Sequence, residues 1–157
     1  MLEWDKSGLE KASDELEIMN TNPFYNKLFY GTSKVTIEQV EEELKDLEGS
    51  PRTRYLIHTG GRNAAILEYL LHNPKDHKPW LGFLMVHSAF QKQGLAKEIY
   101  LVCEEEMKKN KKICLRLGVL SGNVPALSFW SKMGFEEIEV RESGGKLLHI
   151  LEKSFIG

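Results

Sequence analysis

The hydrophobic positions fall into two regimes that meet at Pro51. Before it they recur at three- and four-residue steps. Leu9, Ala12, Leu16 and Met19 share one face with acids between them, so the first fifth of the chain is expected to be helical. Asn22-Pro23 breaks that pattern. An aromatic stretch follows, Phe24-Tyr25-Asn26-Lys27-Leu28-Phe29-Tyr30, ended by Gly31. A second helix is expected from about Thr36, with Ile37, Val40, Leu44 and Leu47 as its apolar face and Gly49-Ser50-Pro51 as its stop.

After Pro51 the period shortens. Residues 54–58 and 64–71 read as strands around Thr59-Gly60-Gly61-Arg62-Asn63, a hairpin signal. Asn73-Pro74-Lys75-Asp76 is a turn, and residues 80–87 form a continuous apolar run expected of a strand buried on both faces. A helix is expected from about Gly94 to Lys109, buried along Ala96, Ile99, Tyr100, Cys103 and Met107. Residues 113–119 read as a strand with Ile113, Leu115 and Leu117 on one face. The next helix starts near Asn123, an N-cap residue with Pro125 in the first turn, and ends at Gly134 with Phe135 packing back. Two strands around Ser143-Gly144-Gly145 close the chain. The order is helix, helix, three strands, helix, strand, helix, two strands, which is a mixed α/β (α+β) fold.

At 157 residues the prior is one domain, 1–157, with an ordinary apolar fraction of 41%. No apolar run approaches a membrane helix, and the acidic N-terminus lacks a signal-peptide core. Cys103 and Cys114 read as small buried residues outside any metal-ligand spacing, so a reducing cytoplasmic compartment and no metal are expected. Residues 1–50 carry 12 acidic and 5 basic side chains, whereas residues 51–157 carry 16 basic and 11 acidic. This is a solvated acidic helix or, functionally, an anion-handling later part and a cation-facing earlier part. Neither half is basic enough for a nucleic-acid surface.

Chemistry concentrates where the apolar run Leu84-Met85-Val86 leads through His87-Ser88-Ala89-Phe90 into Gln91-Lys92-Gln93-Gly94-Leu95-Ala96-Lys97. The opening turn of a helix has unpaired N–H groups and a partial positive charge, and small residues there let a phosphate approach the backbone. The same residues would serve a plain strand-to-helix turn. They match neither the phosphate loop ending in GKS or GKT nor the dinucleotide fingerprint.

This segment resembles the acetyl-CoA-binding core of the GNAT superfamily of N-acetyltransferases, whose signature is Gln or Arg, two residues, Gly, one residue, Gly or Ala; Gln91, Gly94 and Ala96 occupy those places. Asn123-Val124-Pro125-Ala126-Leu127-Ser128-Phe129-Trp130-Ser131-Lys132-Met133-Gly134-Phe135 resembles the family's closing segment. The likeness covers residues 54–140 well and the N-terminus loosely. It implies a single GNAT-type domain with a mixed, mostly antiparallel central sheet flanked by about four helices. It implies that Leu84, Met85 and Val86 pair with the pantetheine arm of acetyl-CoA and that N–H groups from Gln91 to Lys97 hold its pyrophosphate, with charge from Lys92 and Lys97. Asn123 would bond the cofactor arm, and serves equally as an N-cap; Trp130 would lie beside the thioester, and serves equally as core.

Acyl transfer to an amine calls for a base and an oxyanion donor, the latter a backbone N–H near Met85–Val86 by the same resemblance. Many family members have a proton-donating tyrosine where Trp130 stands, and some a glutamate where Gly118 stands; both are missing here. Glu68, an acid inside Ala64–Leu71, is the base candidate, or else a rim carboxylate. Tyr69, His72 and His87 are weaker candidates. Phe24, Tyr25, Phe29 and Tyr30, with acids nearby, would wall a site for a cationic small-molecule or peptide amine, or would seat the helices on the sheet. The expected activity is direct transfer of acetyl from acetyl-CoA to a primary amine in a ternary complex. A catalytically inactive acyl-CoA sensor and an unrelated α/β module are the other readings. No nucleic-acid or membrane partner is expected, and a homodimer through strand pairing is compatible with each reading.

Overall fold

In the computed structural model, which describes residues 1–156, seven strands form one sheet in the order β1-β2-β3-β4-β5-β7-β6. The strands are β1 (Leu2–Lys6), β2 (Arg52–Thr59), β3 (Arg62–Leu70), β4 (Trp80–Val86), β5 (Cys114–Leu120), β6 (Glu136–Ser143) and β7 (Lys146–Ser154). Five α-helices flank them: α1 (Ala12–Met19), α2 (Pro23–Tyr30), α3 (Ile37–Lys45), α4 (Leu95–Lys109) and α5 (Val124–Lys132). All neighbouring strands are antiparallel except β4 and β5, which are parallel. This is the mixed, mostly antiparallel sheet with helical layers that the resemblance implied.

β3 explains the two layers. Its side chains alternate between faces, so Ala65, Leu67 and Tyr69 join Ile99, Tyr100, Cys103 and Met107 of α4 in one core. Ile66 joins Ile18 and Met19 of α1 and Val40 and Leu44 of α3 in the other. Gly60 and Gly61 both take positive φ, which a two-residue hairpin turn between β2 and β3 requires.

Five expectations need correction, the last of them for β4. The first residues form a strand, β1, paired to β2 from Leu2↔Thr59 to Lys6↔Tyr55. The aromatic stretch is itself a helix, α2, because Pro23 sits at its first turn, where a proline costs no hydrogen bond. The buried stripe of α1 is Ala12, Glu15, Ile18 and Met19, while Leu9 is exposed. Ile113 precedes β5 and is exposed, apart from the buried Leu115 and Leu117.

β4 is not buried on both faces along its length: Gly82 is exposed, and Phe83 and Leu84 are half-buried. The cause is topological. Among the described residues β4 pairs with β5 only at Trp80↔Arg116, reinforced by Arg116 N–H donating to the Pro79 carbonyl at 3.0 Å. Beyond that point the strands part. The register against β3 also steps from Tyr69↔Leu81 to Glu68↔Phe83, which leaves Gly82 as an extra, bulged residue.

Candidate functional site

Three clefts share walls around β4, two of them reaching β5 or the start of α5 and the third lying over β2 and β3. The first, about 670 Å³, runs from Gln91, Lys92 and Ala96 past Val86 and Leu84 to Asn123 and Trp130. The second, about 310 Å³, continues from Leu84 down the gap between β4 and β5 to Trp80. The third, about 300 Å³, opens beside Gly82 and Phe83 toward Glu43, Arg52, Arg54 and Glu68. Tyr25 lines all three.

The strand-to-helix turn at the outer end is rich in unpaired donors. Gly94, with φ +80°, caps α4, and Lys92 is also left-handed at φ +62°. Left-handed residues in a short run turn successive N–H groups to one side. Among the described residues the N–H groups of Lys92, Gln93, Gly94, Leu95, Ala96 and Lys97 have no acceptor. A Cβ placed on Gly94 would meet nothing within 4 Å, so the space over the turn is clear. Six free donors over open space at a helix N-terminus fit a phosphate-bearing group.

Gln91 departs from the expected cradle. Its N–H donates to the Ser88 carbonyl at 3.3 Å, and its Nε2 donates to Asn22 Oδ1 and to the Val86 carbonyl, both at 2.8 Å. Asn22 Nδ2 also donates to the Val86 carbonyl at 3.1 Å, and Ser88 N–H donates to Thr21 Oγ1 at 3.0 Å. The residues joining α1 to α2 thus strap the turn in place. The same bonds occupy the Val86 carbonyl, although Val86 lines the first cleft together with Leu84 and Met85.

Asn123 is the expected cap and also borders the clefts. Its Oδ1 accepts from Ala126 N–H at 3.3 Å as the cap of α5, while its side chain lines the first and second clefts. Trp130 is likewise double. It is 7% exposed and packs edge-on against Tyr100, Phe129 and Phe135, yet it borders both clefts.

The third pocket is held by a chain of ion pairs that hydrophobic periodicity does not reveal. Glu15 of α1 is fully buried and accepts from Arg54 through both carboxylate oxygens, at 2.6 and 3.0 Å, and from Ser7 Oγ at 2.6 Å. Burial pushes the Arg54 guanidinium down, but Glu15 and Glu68 outweigh it and raise it, so Arg54 stays charged. Glu68 Oε1 accepts from Arg54 at 3.0 Å and from Arg52 at 3.2 Å. Its other oxygen, Oε2, has no hydrogen bond among the described residues and lies only 2.8 Å from where a Cβ of Gly82 would stand. The bulged glycine therefore lets the carboxylate reach the junction of the second and third clefts.

The aromatics of α2 divide between sites. Phe24, 54% exposed, borders the first cleft. Tyr25, Phe29 and Tyr30 border the third, where Tyr25 stacks on Phe29 at 5.8 Å and meets Phe83 at 5.6 Å. The Tyr30 hydroxyl donates to Glu43. Burial, assisted by Glu43 and opposed by Arg54, raises Tyr25 well above the ordinary tyrosine range, so its hydroxyl keeps its proton. The weaker candidates lie elsewhere: Tyr69 faces α4, His72 contacts His77, and His87 contacts Glu17.

The profile of the Acetyltransferase (GNAT) family matches residues 18–135. No curated protein matches the sequence. Among solved structures, the fold is similar to an acetyltransferase from Thermus thermophilus, with TM-score 0.83 and 22% identity over 98% of this chain and 97% of that one. It is similar to the ribosomal-protein-S18-alanine N-acetyltransferase of Escherichia coli, with TM-score 0.71 and 15% identity over 99% and 94%. It is also similar to the PaiA N-acetyltransferase of Thermoplasma acidophilum in complex with coenzyme A, with TM-score 0.69 and 18% identity over 98% and 99%. With the family profile spanning most of the chain and an open β4–β5 gap beside a free-donor turn, the protein belongs to the GNAT acetyltransferase family.

Proposed function

We propose that this chain transfers an acetyl group from acetyl-CoA to a primary amine within a ternary complex. The observation that carries the reading is a set of adjoining clefts: a turn with six free N–H groups at one end, a Glu68 oxygen without a hydrogen bond at the other, and Tyr25 in the wall of all three. The coenzyme A held by the Thermoplasma relative adds support.

In this reading the N–H groups of Lys92 to Lys97 hold the pyrophosphate, and Lys92 and Lys97 add charge. The edge of β4 at Leu84 and Met85 receives the pantetheine arm as an added strand would be received. Asn123 and Trp130 flank it. Bound acetyl-CoA supplies a thioester, whose thiol leaves readily because its own pKa is near 8.5.

The amine is the harder partner. At pH 7 roughly one lysine-like amine in a few thousand is neutral. Glu68 Oε2 takes its proton, directly or through water, while Arg52 and Arg54 fix Oε1. Tyr25 stays protonated and so donates a hydrogen bond rather than acting as a base. Trp130 has no acidic proton to give at neutral pH. The acceptor itself is a small-molecule or peptide amine seated against Phe29, Tyr30 and Phe83.

Calorimetric titration with acetyl-CoA, followed by thiol release with an amine panel, tests the reading. Micromolar binding with turnover is expected. Binding without turnover on any amine would leave the sensor reading, and no binding to the folded protein would overturn both. Glu68→Gln should lower kcat/KM by about a hundredfold or more, most at neutral pH, where the amine arrives protonated; a loss of the same size at every pH would remove Glu68 as the base.

A further inference from the structure

The second cleft is of a different chemical kind from the third. Its deep part lies between β4 and β5 and is walled by Trp80, Leu81, Leu117, Val119 and Leu148. Its lining carries no charged side chain, with Glu68 Oε2 reaching only its border beside Gly82, whereas the third pocket holds Glu43, Glu68, Arg52 and Arg54. Two glycines open it. In the parallel register that starts at Trp80↔Arg116, Gly82 and Gly118 lie two positions further along each strand, and both are exposed to the gap. A Cβ on Gly118 would touch only Ile150 Cδ1 and Leu148 Cδ2, each at 3.7 Å, and no atom of β4 within 4 Å. The cleft of about 310 Å³ has room for roughly ten waters at about 30 Å³ each, more than the methyl group of an acetyl fills.

Resting on the proposed acyl-transfer reading, we infer that the glycine-opened cleft between β4 and β5 receives the tail of an acyl donor longer than acetyl, a straight aliphatic chain of three to six carbons. Polarity decides which branch takes which partner. The amine belongs in the pocket with Glu43 and Glu68, where its charge and N–H groups find acceptors. The aliphatic tail belongs in the branch without charged side chains, where burying it costs no hydrogen bond. Trp80 closes the far end, because β4 and β5 rejoin there. The reaction keeps the balance of ordinary acyl transfer: the new C–N bond replaces the C–S bond, and the proton lost by the amine ends on the thiol.

The test is calorimetric and needs no acceptor. Free CoA, acetyl-CoA, butyryl-CoA and hexanoyl-CoA are titrated into the wild-type protein and into Gly118→Val, with Gly118→Ala as a milder variant and circular dichroism as the check on folding. In the wild type each buried methylene should tighten binding by up to about fourfold, so butyryl-CoA should bind roughly tenfold tighter than acetyl-CoA. In Gly118→Val, and in part in Gly118→Ala, that advantage should vanish. Thiol release with an amine should show the same change in the ratio of butyryl to acetyl kcat/KM. Equal affinity for acetyl-CoA and the longer donors, or a chain-length advantage that survives Gly118→Val, would overturn the inference while leaving acetyl transfer standing. Failure of free CoA itself to bind would overturn the function and this inference together.

Discussion

Gly94 concentrates two demands on one backbone position. It is left-handed at φ +80°, and the space where its Cβ would stand is open. Gly94→Ala meets the first demand poorly and should cost about 1 kcal/mol of stability. Gly94→Glu adds a charge where phosphates are expected; a like charge within about 4 Å near a protein surface is worth several kcal/mol. Acetyl-CoA affinity should therefore fall by at least about tenfold beyond the alanine variant, measured by calorimetry on both folded proteins. Equal affinities for the two variants would remove the turn as the phosphate site. Glu68 was legible because an acid inside an apolar strand stands out. Glu15 was not, since counting apolar positions put Leu9 and Leu16 on the buried face and treated Glu15 as solvent-facing. Its partner Arg54 lies 39 positions away, and Gln91 lies 69 positions from Asn22. Contacts at that separation leave no periodic trace.

The same distinction holds for whole elements. α3 was readable from its apolar face and its stop, and its start is fixed by a capping box in which Thr36 accepts from Gln39 N–H and the Gln39 side chain accepts from Thr36 N–H. α4 was readable from its buried stripe. β1 escaped because five residues carry only two apolar side chains, Leu2 and Trp4, and because it lies at a sheet edge and takes its identity from pairing with β2. α2 escaped because Asn22-Pro23 looks like a break, while a proline at the first turn is also a start. α5 offers a test of what a cap does for a site. Asn123→Ala removes the bond to Ala126 N–H and should cost about 1 kcal/mol in urea unfolding. Asn123→Ser can still cap but is too short to reach across the cleft. If Asn123 also bonds the cofactor arm, both variants should bind acetyl-CoA less tightly and only alanine should lose much stability. Full affinity in the serine variant would confine Asn123 to capping.

At the scale of the molecule, the sheet that must stay open between β4 and β5 has to be held firmly on either side. Toward β2 and β3 the Glu15–Arg54–Glu68 chain does this. Toward β7 the tie is Glu104 of α4, which accepts from Tyr100 at 2.7 Å and from Lys153 of β7 at 2.8 Å, with Lys108 Nζ 3.1 Å away. Burial alone would raise the Glu104 carboxyl. The hydrogen bonds from Lys153, Tyr100 and Lys108 outweigh it and hold the group down at about 2, against an ordinary value of 4.5. A carboxyl lowered on folding favours the folded state wherever the unfolded chain would be ionised. Its contribution is therefore complete above pH 4.5 and is lost as pH falls from 4.5 toward 2. Glu104→Gln keeps the shape but gives up the charge-assisted bonds, so it should destabilise the protein by on the order of 2 kcal/mol at neutral pH. Urea unfolding of both proteins at pH 7, 5, 4 and 3 should show that difference constant down to about pH 5 and shrinking below it. A gap that stays level to pH 3 would mean that Glu104 acts through packing, and that β7 is held to α4 by its apolar contacts alone.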